Sequence, residues 1–348
     1  MTRGDSDAIP PSGGITEVVA LQLEAVRAGA SPERLAELEA KIAGAVRRSR
    51  SEATLAAYRS DWSDFETWCE SLPLPCLPAE PGTVAAYLAE LAEPDDDRAP
   101  LAMSTIQRRV AAIGEAHKSA GHLNPCADPL VKQVTKGIRR TLGVAPRHRK
   151  SGLSTADIRA IVTSLDGTRL IDVRDAAILL VGFATALRRS ELVALEIEDV
   201  ENHPEGVIVN KRRSKTDQEA AGKRIEVAYG EQLFTCPVRA LRSWIDEADI
   251  QTGPIFRPVN RHGHVAARAL SDRAVAQIIK KHVTRLGYKG SDYAGHSLRR
   301  GFSTEALRNG ASERTIASTT HHTSTKGLQP YIEEADEFQD PPSRYLGL

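Results

Sequence analysis

The sequence predicts a mainly α-helical protein in two units, the second of which adds a small antiparallel sheet. Three observations predict it. Apolar residues recur at three- and four-residue steps along most of the 348 residues. Only Gly206–Asn210 and Arg224–Ala228, on either side of a polar turn, read as strands. Between the helical stretches, Gly143–Ser154 (GVAPRHRKSGLS) gathers turn formers and positive charge, the composition of a linker.

The elements follow in order. Residues 1–14 are polar and turn-rich, with no apolar core of a signal peptide, so an intracellular, cytoplasmic protein is expected. Helical spacing recurs at Ile15–Ala28 and Pro32–Val46, and residues 1–47 form an N-terminal arm. The first unit spans 48–145. Leu55, Tyr58, Trp62, Phe65 and Cys69 form one amphipathic stripe, with Thr54 or Ser51 as its cap. Pro73, Pro75, Pro78 and Pro81 force a loop, and helices follow at Thr83–Ala92, Ser104–Ala120 and Asp128–Thr141. Residues 146–153 are a basic linker. The second unit, 154–335, opens on a cap at Ser154 or Thr155 and runs through an apolar helix, Val173–Ala186. Past the strands, helices are expected at Pro237–Asp246, Ser271–Leu286, Arg299–Arg308 and Glu313–Thr319. Residues 336–348 are a tail.

Composition excludes several classes. With 41% apolar and 26% charged residues the chain reads as globular, and it has no apolar run of membrane-spanning length. Cys69, Cys76, Cys126 and Cys236 form no CxxC pair, so neither a zinc site nor a disulfide framework is expected. The 46 basic and 46 acidic residues cancel but are segregated. Lys132, Lys136, Arg139, Arg140, Arg147, Arg149 and Lys150 run without an acid among them, and Lys211, Arg212, Arg213 and Lys215 cluster again. Segregated charge makes a positive surface on a neutral protein, although solvated faces make the same pattern.

Four places carry chemistry, each weak alone. In ALRRSEL (186–192), Arg188 offers a guanidinium that grips two phosphate oxygens. In RRSKTD (212–217), Lys215 at a hairpin tip is a mobile proton donor. In GHSLRRGF (295–302), His296 and Arg299 project to one side of a helical turn. In HHTSTKGLQPYIEEAD (321–336), His322 precedes Tyr331 by nine residues. A phenol ionises near pH 10 and needs cationic neighbours to act as a nucleophile. The paired His321 and His322 have no third ligand at a helical or hairpin spacing, so no metal is expected. Tyr293 and Tyr345 are rival nucleophiles at the wrong spacing, and Tyr293 is expected to pack beside the His296 turn. Pro330 biases residue 329 away from helix.

In the order Arg, Lys, His-x-x-Arg, His, Tyr, these residues resemble the tyrosine recombinase (phage integrase) family and, within it, the Cre-like members. The resemblance extends through Phe65–Leu88 and Thr105–Gly121 and covers residues 50–335. It implies a SAM-like, all-helical core-binding domain joined to a mixed α+β catalytic domain of the kind shared with type IB topoisomerases. It also implies roles. Arg188, Arg299 and His322 clamp the scissile phosphate, Lys215 protonates the departing 5′ oxygen, and His296 handles the proton of the incoming or departing group. Glu191 supports its neighbours, and Tyr331 forms a 3′-phosphotyrosyl bond. Such a link conserves the phosphodiester energy, so neither ATP nor another cofactor is expected. The expected partner is double-stranded DNA with paired inverted repeats. A homotetramer joined by exchange of the C-terminal tail, with Tyr345, Leu346 and Leu348 as anchors, would process a Holliday junction on it. The acids after Tyr331, Glu333 and Glu334 included, are expected to lead away from the site.

Arg108, Arg109, Lys132, Lys136, Arg139, Arg140, Arg147, Arg149, Lys150, Arg212 and Arg213 are the candidate DNA contacts, phosphate and base contacts alike. Alternatives stay open: a topoisomerase or telomere resolvase sharing the chemistry, a DNA-binding protein without catalysis, or a helical scaffold. Departures from the family pattern are Ala186 and His321, each standing where glycine is usual.

Overall fold

The structure, a computed structural model, describes residues 31–48, 51–94, 98–143, 150–211, 223–320 and 327–335. It divides into two compact units, one up to Arg147 and one from His148. No helix among the described residues is long and apolar enough to cross a membrane.

The first unit is helical: α1 (Pro32–Arg48), α2 (Glu52–Ser71), α3 (Pro81–Ala92), α4 (Met103–Ser119) and α5 (Pro129–Leu142). The helix expected at Ile15–Ala28 lies outside the described residues. Ser51 caps α2 by accepting the Thr54 N–H at 3.3 Å. The α2 stripe buries Trp62, Phe65 and Cys69, while Leu55 and Tyr58 are half-buried. Pro81 begins α3, where its missing N–H is harmless. Trp62, Phe65, Tyr87, Leu88, Ile106 and Ile113 fill the centre, with Phe65 and Tyr87 edge to face at 5.0 Å. Asp128 caps α5 through the Leu130 N–H at 2.8 Å. Val131 and Ile138 turn α5 inward, which leaves Lys132, Lys136, Arg139 and Arg140 exposed.

The second unit opens with α6 (Thr155–Thr163), held by a reciprocal Ser154–Asp157 capping box. Helix α7 (Leu170–Thr185) is buried along most of its length, as the unbroken apolar run at 176–184 requires. The short α8 (Arg189–Val193) leads into strands β1 (Val200–His203), β2 (Gly206–Lys211) and β3 (Lys223–Ala228), antiparallel in that order. In the register, Val200 faces Val209 and Val209 faces Ile225. Strand β1 has no counterpart in the sequence reading, because three of its four residues are exposed and polar and show no apolar alternation. Helices α9 (Pro237–Glu247), α10 (Asp272–Arg285), α11 (Ser297–Arg308), α12 (Glu313–Thr320) and α13 (Gln329–Ala335) complete the unit. Ala177, Ile178 and Leu179 of α7 pack in one core with Trp244, Ile255 and Phe256, and the Trp244 indole donates to the Ile255 carbonyl at 2.8 Å.

One charged cluster is sunk into this core. Asp175, 1% exposed, accepts from the Arg174 guanidinium at 2.7 Å, pairs with His282 Nε2 at 2.8 Å, and lies 3.3 Å from Lys281. Burial raises its proton affinity, but the hydrogen bond with His282 and the charges of Arg174 and Lys281 outweigh burial and hold the carboxyl below its ordinary range.

Candidate active site

The site grows from the end of α7. Ala186 stops that helix with φ 51°, a left-handed conformation that favours glycine. The turn aims the Ala186 carbonyl at Arg299, whose Nη1 donates to it at 2.8 Å; Nη2 donates to the Thr320 carbonyl. Arg299 is 4% exposed, so its guanidinium is fixed by backbone from two other elements.

Arg188 begins α8. Its backbone N–H donates to Glu191 Oε2 at 2.9 Å and its Nη1 to Glu191 Oε1 at 2.8 Å. The second partner of Glu191 comes from the sheet: Lys211 Nζ lies 3.0 Å from Oε1, both side chains buried. Desolvation opposes the ionised carboxylate, but Arg188 and Lys211 together keep Glu191 below its ordinary range. Sequence reasoning placed Lys211 in a basic cluster and assigned it no role. Its signal is period two: Val207 and Val209 face the core, so residue 211 does too.

His296 stands at the mouth of the site, exposed yet crowded on one side. Burial, then the charges of Arg189, Arg299 and Arg188, depress its proton affinity and favour neutral imidazole. A Cβ at Gly295 would fall 1.6 Å from Arg189 Cδ, so any larger residue there must displace the Arg189 side chain. Gly301 is required, where a Cβ would meet the Leu153 carbonyl oxygen at 1.9 Å.

Tyr331 lies half-buried in the first turn of α13, its N–H donating to the Leu328 carbonyl at 2.8 Å. Pro330 does not keep residue 329 out of this helix; in a first turn the missing N–H has no partner to lose. Arg299 has its affinity for its proton lowered by desolvation and by Arg188, and partly restored by Glu191 and by Tyr331. The tyrosine is therefore within electrostatic reach of the buried guanidinium. Helix α13 is tied down by Arg300, whose Nε and Nη2 reach Glu334 Oε2 at 2.9 and 2.6 Å. Glu334, expected to lead away from the site, instead folds back onto α11, because Arg300 supplies a partly buried counter-charge.

The structure thus gathers Arg188, Glu191, His296, Arg299 and Tyr331. Lys215, His322, Arg147, Arg149, Arg212 and Arg213, and the tail 336–348, lie outside the described residues. Tyr293 packs beside Tyr288, ring centres 5.7 Å apart. Two candidate DNA contacts are engaged by partners within the chain. Arg109 has a side chain only 13% exposed and is engaged by Asp64 and the Tyr87 hydroxyl, and Lys150 donates to the Ser291 carbonyl at 2.6 Å. Arg108 pairs with Asp61 at 2.7 Å but keeps about half its surface open, 47%. Carboxylates inside the unit compete for Arg108 and Arg109, which a count of basic residues does not register. Among the described residues no group of three His, Cys, Asp or Glu is placed to hold a metal ion.

Three basic side chains, Arg188, Lys211 and Arg299, therefore gather around one carboxylate, with a neutral-leaning histidine and a tyrosine beside them. Like charges held this close call for an anion between them. Fold and site together define the class: a helical unit followed by a mixed unit that gathers two arginines, a lysine and a glutamate beside a histidine and a tyrosine. Residues 152–337 match the family described as "Phage integrase family", and residues 45–120 match "Phage integrase, N-terminal SAM-like domain". The chain belongs to the phage integrase family, the tyrosine recombinases. It is 40% identical over 306 residues to the "Integrase/recombinase xerD homolog" of Selenomonas ruminantium, covering 87% of this chain and 88% of that one. It is 26% identical over 310 residues to "Recombinase cre" of Escherichia phage P1, covering 83% and 86%. Its fold is similar to that of XerH bound to a palindromic difH substrate, with TM-score 0.55 and 13% identity over 89% of this chain and 85% of that one. It is also similar to a lambda integrase dimer bound to a COC′ core site, with TM-score 0.50 and 14% identity over 94% and 95%.

Proposed function

We propose that the chain is a site-specific DNA recombinase that cuts and rejoins strands through a phosphotyrosine at Tyr331. The observation that carries this reading is the convergence of Arg188 and Arg299, held by Glu191 and by backbone carbonyls, within electrostatic reach of Tyr331. A phosphodiester entering the site gains negative charge on its non-bridging oxygens as the tyrosine oxygen bonds to phosphorus. Fixed guanidiniums stabilise that charge without rearranging.

The step balances without an external energy source. The Tyr331 oxygen forms a bond to phosphorus while the bond to the 5′ oxygen breaks. His296, its imidazole biased to the neutral form, accepts the phenolic proton. Lys215 donates a proton to the departing 5′ oxygen, and His322 adds a third donor to the phosphate. Attack by another strand's 5′ hydroxyl reverses each transfer, so neither metal nor ATP is consumed. The DNA partner is supported by the relatives' names and by the two DNA-bound proteins of similar fold. Exposed Lys132, Lys136, Arg139 and Arg140 of α5 are suited to the phosphate backbone. Paired inverted repeats would seat a homotetramer joined by exchange of residues 336–348, and strands would exchange through a Holliday junction.

The test is a nicked suicide substrate built on inverted repeats flanking the native gene. Wild type is expected to trap a covalent protein–DNA adduct, whereas Tyr331→Phe binds the same DNA and traps none. An adduct formed by Tyr331→Phe refutes the assignment. Relaxation of supercoils without recombinant product from two sites would shift the reading to a topoisomerase.

A further inference from the structure

We infer that Lys211 is a positioning residue for strand cleavage: its buried ammonium holds Glu191 on the oxygen shared with Arg188, and so fixes the guanidinium that meets the phosphate. The inference rests on the function proposed above and adds to it a residue outside the Arg, Lys, His-x-x-Arg, His, Tyr pattern.

The geometry is specific. Lys211 ends β2 on the strand's inward face and is 4% exposed, and burying a lysine this completely is costly unless a carboxylate meets it. Its Nζ stands 3.0 Å from Glu191 Oε1, the atom that also receives Arg188 Nη1 at 2.8 Å. Glu191 Oε2 is occupied by the Arg188 backbone N–H at 2.9 Å. Backbone and side chain of Arg188 and the ammonium of Lys211 thus leave the carboxylate little freedom to rotate. Without Lys211, the polar contacts left to Glu191 among the described residues come from Arg188, its neighbour three residues away, and the two can turn together as one flexible unit. The sheet supplies the only one of these contacts that comes from a distant element, and it anchors the pair to the core through Val209, paired with Ile225.

The electrostatics point the same way. Burial, together with Arg188 and Arg299, lowers the proton affinity of Lys211, while Glu191 raises it. Lys211 therefore brings a cation toward two arginines at a cost that only Glu191 offsets among the described residues. A purely structural pair would sit as well elsewhere in the core; this one touches the residue that orders Arg188. With its ammonium committed to Glu191, Lys211 is not the proton donor, which remains Lys215.

The experiment measures single-turnover cleavage of the suicide substrate at saturating DNA, DNA binding, and thermal unfolding, for wild type, Lys211→Met, Lys211→Arg, Glu191→Gln and the double variant. Lys211→Met is expected to cleave at least about tenfold more slowly while its half-saturating DNA concentration stays within about threefold, with Lys211→Arg recovering part of the rate. The double variant, which removes both charges of the buried Lys211–Glu191 pair and carries the test if Lys211→Met unfolds, is expected to cleave no more slowly than Glu191→Gln. Wild-type cleavage by Lys211→Met, or multiplicative losses in the double variant, overturns the inference. A substrate with sulfur in place of the departing 5′ oxygen needs no proton donor. It should rescue Lys215→Ala but not Lys211→Met, and rescue of Lys211→Met would make Lys211 the acid instead. Tyr331→Phe run alongside separates the two readings: an adduct there sinks the proposed function itself, whereas its absence with unimpaired Lys211→Met sinks only this inference.

Discussion

The ion pair between Arg300 and Glu334 should act as a latch on the nucleophile, and its strength can be worked out. Helix α13 has seven residues, too few to hold itself, so Tyr331 is positioned by what α13 docks against. Arg300 grips Glu334 with two N–H groups, at 2.9 and 2.6 Å, with the two side chains 14% and 27% exposed. An exposed pair contributes about 0.2–1 kcal/mol, and hydrogen bonds to charged groups about 1.5–3. Partial exposure places this pair between them, at about 1.5 kcal/mol, or close to tenfold in the population of docked α13. Glu334→Gln keeps the shape and removes the charge. Single-turnover cleavage at saturating DNA should therefore fall about three- to tenfold, with DNA affinity within about twofold. Arg300→Met should lose somewhat more, because Arg300 also donates to the Lys150 carbonyl at 3.0 Å. Cleavage by Glu334→Gln at the wild-type rate would refute the latch.

Three further outcomes are expected. Arg299→Lys should bind DNA but cleave about 100- to 1000-fold more slowly in the same assay, since an ammonium cannot hold both the Ala186 and Thr320 carbonyls and still present a flat fork to a phosphate. Asp175→Asn strands the buried Arg174 cation and should lower stability by about 3 kcal/mol or more in urea unfolding. Because the Asp175 carboxyl is held below its ordinary value, its contribution is complete above the unfolded-state pKa of about 4 and is lost as pH falls through the lower folded value, so variant and wild type should converge only in strong acid. Gly301→Ala drives a methyl into the Leu153 carbonyl, whose own N–H is tied to the Ser297 carbonyl at 3.1 Å, and should cost about 3 kcal/mol by the same measurement.

Much of the architecture was legible in the sequence, because helices of this length announce themselves through one-sided burial. The stripe from Leu55 to Cys69, the unbroken apolar run of α7 and the serines before α2 and α6 are local patterns read by local physics. The spaced order of Arg188, His296, Arg299 and Tyr331 was equally visible, since a motif is a property of chain order.

What escaped was every feature that depends on which charge meets which. Arg109 and Arg300 look alike in the sequence, yet one is absorbed by Asp64, 45 positions away, and the other fastens the tyrosine helix through Glu334, 34 positions away. Lys211 read as one more cation before Lys215 until β2 turned it inward onto Glu191. Chain order by itself determined most of the helices and singled out the candidate reacting groups. Only the tertiary structure decided which cations remain for a phosphate, because Coulomb attraction depends on distance in space and on exclusion of water, and neither is written along the chain.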